Sequence, residues 1–139
     1  TSAQTEAARF WTITGPAAWN PAVRALAASR PASLVENAHL FALVSMAASD
    51  AFVAVFEAKY FYGFWRPITA IRNGDHDDNS ATERDATWQP IDNTPMHPEY
   101  PCAHCTVAAA VGTVLRAEIG TGAMPTLATN ICITSSSRE

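Results

Sequence analysis

From Leu34 onward apolar residues follow closely the i, i+3, i+4 pattern: Leu34, Ala38, Phe41, Ala42, Val44, Ala48, Phe52, Val55 and Phe56. That spacing is the signature of an α-helix, and Ser33 stands where its N-cap belongs. The apolar positions cover more than half the helix circumference, which predicts a place inside a bundle rather than on a surface. The stretch LFALVSMAASDAFVAVF is interrupted by Ser45, Ser49 and Asp50. A bilayer penalises an acid near the centre of a span, so the pattern predicts a buried helix and no membrane span.

Shorter patterns flank this one. SAQTEAARFW predicts a short helix capped by Ser2 or Thr5. In TGPAAWNPAVRALAASRP, Asn20 is the expected N-cap and Pro21 the first helical residue, with the helix ending near Arg30 because Pro31 follows. After Pro67, RPITAIRNG predicts one or two further turns stopped by Gly74. Residues 73–92 are polar and without period, and a loop of this length is expected to be functional or disordered. NTPMHPEYP is expected to be extended, since its prolines remove backbone donors. Ala103 to Ile119 reads as a last helix ended by Gly120, and the tail TLATNICITSSSRE is ambiguous between strand and coil. The expected fold class is all-α, a single helical domain over 1–139 with one long polar loop at about 73–95.

Composition sharpens this in one direction. Of 139 residues 48% are apolar and 16% charged, which suits a folded, well-buried chain. A net charge of -4 with no basic stripe gives no footprint for nucleic acid. The chain opens with threonine and shows no leader, so it fixes no compartment.

Three cysteines, Cys102, Cys105 and Cys132, make no disulfide framework. The run Cys102-Ala103-His104-Cys105 lacks the second ligand pair of a structural zinc site. Haem attachment needs a histidine after the second cysteine, where Thr106 stands. A redox dithiol expects a preceding β-strand, and none is predicted, so two small apolar helix residues are the plainer reading. Laid on the EF-hand pattern from Asp75, the acidic loop has Ser80 in place of the required glycine and Ala86 in place of the closing glutamate. His39 is read as a helix residue packed in or near the core.

The stretch AKYFYGFWRPITA places Lys59 seven residues before Arg66. On one continuous helix seven residues make two turns, so both cations are expected on one face among aromatic residues. Buried cations call for an anion, although a snorkelling pair at the surface is the simpler alternative. Further on, Pro101-Cys102-Ala103-His104 opens the last helix, whose first N–H groups suit an anion, with His104 near enough to move a proton.

At these residues the chain resembles the superfamily of vanadium-dependent haloperoxidases and type 2 phosphatidic acid phosphatases. That signature reads K-x6-R-P, then P-S-G-H, then S-R-x5-H. Lys59, Arg66 and Pro67 meet the first part in full. The second appears with Cys102 for serine and Ala103 for glycine. The similarity runs over about residues 33 to 120. It implies a helical bundle holding vanadate, or phosphate as its analogue, with Lys59, Arg66, Cys102 and Ala103 around the oxyanion and His104 as general acid–base. It further implies a halide site near His97, Phe56 and Trp65. The implied partners are peroxide and halide, or a phosphate ester. The implied chemistry is vanadate-activated peroxide oxidising halide to a hypohalous species. Phosphate ester hydrolysis and a non-catalytic oxyanion-binding remnant are the alternatives. The third part, with the histidine that ligates vanadium, is absent from these 139 residues; Ser137-Arg138 matches only its opening. The expectation is therefore the N-terminal part of a catalytic domain, inactive or severely weakened alone, with self-association or a completing C-terminal segment.

Overall fold

A computed structural model describes residues 1–10, 12 and 16–120. The tail, with Cys132 and Ser137-Arg138, lies outside them. Among the described residues there are five α-helices and no strand: α1 (Ser2–Phe10), α2 (Pro16–Ala28), α3 (Leu34–Tyr62), α4 (Pro67–Arg72) and α5 (Ala103–Ile119), with a 3-10 turn at Gly74–His76. The all-α class and the bounds of α5 agree with the sequence pattern. The start of α2 does not. It begins at Pro16, four residues before the expected cap at Asn20, and carries Pro21 inside. Pro16 is itself suited to the first turn, where its missing N–H costs no intrahelical bond, so the earlier proline is the one that starts the helix.

The beginning of α3 follows its chemistry closely. The Glu36 amide donates to Ser33 Oγ at 3.2 Å, and the Ser33 amide donates to the Glu36 carboxylate at 2.7 Å. This reciprocal box satisfies two otherwise orphaned donors. These bonds also hold the Glu36 carboxyl below its usual range.

The described contacts divide into two compact units. One holds Thr1–Phe52 and the chain from His104; the other is Val53–Ala103. In the first, Trp19, Val23, Leu26 and Ala27 from α2 pack with Leu40 and Val44 from α3 and Val107, Val111 and Leu115 from α5. His39, adjacent to this core in sequence, points away from it. Its ring is mostly exposed and lies 3.9 Å from Glu118, which corrects the expectation of a core histidine.

A second correction concerns α3. Leu34 is 86% exposed, and Val35, Met46 and Val53 are also exposed, so only one side of the helix is covered among the described residues. The stretch Leu34–Arg72 is long and apolar enough to cross a membrane by length and composition. Asp50, exposed in its middle, remains the residue that speaks against a span.

In the second unit the polar loop is tied back to α4. The Asp85 amide donates to the Ile71 carbonyl and Arg72 Nε to the Trp88 carbonyl, both at 3.0 Å. Gly74 is buried where any Cβ would stand 3.0 Å from the Glu83 carbonyl oxygen, so a larger residue there would have to push the loop backbone outward. Asp77, Asn79 and Asp85 each accept from the amide two residues on, the usual Asx turn. Among the described residues no group of three or more acidic, histidine or cysteine side chains could hold a metal ion.

Candidate functional site

The site forms where α3 ends. Gly63 adopts φ +59, a left-handed conformation that favours glycine, and its amide donates to the Lys59 carbonyl at 2.9 Å. The chain leaves the helix there and reaches Arg66, the N-cap of α4, with extended backbone (φ -72, ψ 154). Lys59 and Arg66 are thus not two turns apart on one helix, as the spacing alone predicts. They sit on either side of a reversal, and Pro67 at the first position of α4 fixes where the second begins.

Both cations reach one short segment, residues 97–99, which follows a tight turn where the His97 amide donates to the Pro95 carbonyl at 2.9 Å. Lys59 Nζ donates to the carbonyl of Pro98 at 2.9 Å and to that of Glu99 at 2.6 Å. Arg66 Nε donates to the His97 carbonyl at 2.7 Å, and Nη1 to the Glu99 carboxylate at 2.9 Å. Nη2 lies 2.7 Å from His97 Nδ1; a guanidinium only donates, so the imidazole nitrogen accepts. The Glu99 amide donates to the Phe64 carbonyl at 3.0 Å, closing the segment onto the reversal that carries Arg66.

Lys59 is 2% exposed. Burial depresses its pKa below the ordinary lysine value, and the neighbouring Arg66 charge adds to the effect; Glu99 and the Cys102 thiol oppose it. An ammonium in this position gains from any further negative charge, because few waters remain to solvate it.

Of the residues expected at the site, the second unit brings together Lys59, Arg66, His97 and Phe56. The Phe56 ring meets that of His97 edge to face, with centroids 4.9 Å apart. Trp65 is half exposed in the turn before α4. Cys102 and Cys105 are exposed thiols at the start of α5, not the covered apolar pair that their size suggests. Ala103 is the first residue of α5. His104, the second, is exposed and belongs to the first unit. The residue that sequence reasoning overlooks is Glu99. No local pattern in the sequence points to it, because the residue it pairs with, Arg66, lies 33 positions earlier.

Among the described residues the chain is all-helical, with a lysine–arginine pair closed on residues 97–99, which places it in the class of helical-bundle proteins. Residues 39–139 match the family model described as VCPO second helical-bundle domain, and the chain belongs to that family. The chain is also similar to the vanadium chloroperoxidase of Curvularia inaequalis, with 30% identity over 139 residues that cover 81% of this chain and 22% of the relative. The chain therefore spans about a fifth of the length of that curated relative. No solved structure matches.

Proposed function

We propose that this chain supplies the greater part of the oxyanion pocket of a vanadium-dependent haloperoxidase, residues 1–139 forming a single, partial helical-bundle domain. The observation that carries the reading is the state of Lys59. It is buried, and its two hydrogen-bond acceptors, the Pro98 and Glu99 carbonyls, are neutral. Such acceptors orient an ammonium without cancelling its charge. Together with Arg66, it fits a tetrahedral anion such as vanadate.

In this reading Lys59 and Arg66 bind and orient the anion's oxygens. Cys102 and the Ala103 amide add donors at the start of α5, the thiol being a weaker donor than a serine hydroxyl. His104 takes or gives the proton that moves during turnover. Phe56 and His97, with Trp65, line the halide side. Bound vanadate supplies a Lewis-acidic centre that activates hydrogen peroxide toward halide with no change in its own redox state. In this reading the third part of the signature, S-R-x5-H, supplies the remaining ligand, and only its opening, Ser137-Arg138, is among these 139 residues.

Calorimetric titration of the chain with orthovanadate tests the reading. The wild type is expected to bind, and Lys59→Ala or Arg66→Ala to abolish the heat. Undetectable binding by a folded wild type would leave a structural remnant of the family. In a halide-oxidation assay with peroxide the chain alone is expected to show little or no turnover.

A further inference from the structure

Most acceptors around the two cations are uncharged, and one is not. Lys59 is held by two backbone carbonyls, and Arg66 by the His97 carbonyl and the His97 ring. Among the described residues, Glu99 is the one carboxylate ion-paired with either cation, at 2.9 Å from Arg66 Nη1. The two contacts to His97 already fix the plane of the guanidinium, so the Glu99 bond is not needed to place it.

The pair is also lopsided in exposure, 43% for the Glu99 side chain against 18% for Arg66. A carboxylate this open to water gains little from pairing and is free to accept other partners. When ionised it can only accept hydrogen bonds, with room on two oxygens for several donors. A tetrahedral anion approaching Arg66 therefore meets a neighbour that welcomes a proton and repels bare oxygen. An anion with an O–H can donate it to Glu99; one without an O–H faces like charge and opposed lone pairs.

We propose that Glu99 is a specificity-determining residue of the pocket, favouring tetrahedral oxyanions that carry a proton at neutral pH, the phosphate and vanadate class, over sulfate, which carries none. The proposal rests on the oxyanion-pocket reading above and goes beyond it, by assigning to an acidic side chain a choice among anions of nearly the same shape. Lys59 and Arg66 supply attraction to every anion; Glu99 sorts them.

Phosphate and sulfate are the probes, titrated separately into the chain at pH 7 in wild type, Glu99→Gln and Glu99→Ala, with circular dichroism to verify the fold. Wild type is expected to prefer phosphate by about tenfold or more, a difference that one well-placed charge-assisted hydrogen bond can supply. Both variants are expected to bind sulfate about tenfold more tightly and to narrow the preference to within about threefold. Glu99→Gln keeps an acceptor for Arg66, so it separates lost charge from lost anchoring. Phosphate binding with an unchanged phosphate-to-sulfate ratio in both variants would overturn the role of Glu99 and leave the pocket standing. Binding of neither anion by any of the three folded proteins would overturn the pocket itself, and this proposal with it.

Discussion

Nine of the ten buried apolar residues described lie in the first unit, interlocked from α2, α3 and α5; in the second only Val55 is buried in that way, beside a buried lysine. Packing of the first kind is non-directional and tolerates exchanges of similar volume. The second unit is held at its centre by hydrogen bonds of fixed direction, from Lys59 and Arg66 to residues 97–99. The contrast shows how one chain can divide its labour. A greasy scaffold provides stability, and a smaller, polar unit keeps charged groups aligned while remaining easier to open.

The contrast can be broken most forcefully in the scaffold. Leu26 is almost fully buried, and Leu26→Ala is expected to cost about 2–5 kcal/mol in chemical denaturation, through lost transfer energy and the cavity left behind. A loss below about 1 kcal/mol would mean that this core is far more plastic than its burial implies.

A smaller effect, of about 1–3 kcal/mol, is expected for Arg66→Ala, which leaves the His97 carbonyl and the Glu99 carboxylate without their donor. Amide hydrogen exchange is the sharper readout, because the loss belongs to the second unit. The Glu99 amide should lose protection, while amides of α2 keep theirs.

The smallest effect concerns pH. The Lys59 pKa is lowered in the fold, so between its folded and unfolded values the unfolded chain binds more protons, and stability rises with pH across that window. The cost of burying the charged form is fully present below the folded value. It is relieved as pH climbs toward the ordinary lysine range. Lys59→Met should lack this alkaline gain in urea titrations at stepped pH; identical slopes for both proteins would contradict the assigned cause.

Legibility from sequence follows the same division. Where helices are made by periodicity and caps, as at Ser33–Glu36 and at Ala103 to Ile119, the pattern predicts them well, because the forces are local. Pro21 misleads, since a proline can also sit inside a helix that an earlier proline has begun. Exposure of α3 was illegible for a different reason. An apolar circumference states what a helix would bury, and only the surrounding chain decides what is covered. At the site, the motif spacing singles out Lys59 and Arg66, but for a geometry they do not adopt. The reversal at Gly63 depends on one positive φ, which a spacing count cannot register. Glu99 goes unread because its partner is 33 residues away, and such pairings leave no short-range trace.

The tethering of the polar loop carries a consequence for how this chain can vary. Its fastenings are at Gly74, at Asp85 and at Trp88, while residues 77–82 between them turn on their own Asx bonds. Lengthening a free tip adds only a slowly growing closure entropy, so insertions there should be absorbed with little disturbance. The same insertion at 83–88 would shift the fastenings of α4, and with them the start of the helix that Arg66 caps. Tolerance to added length should therefore change abruptly within a few residues.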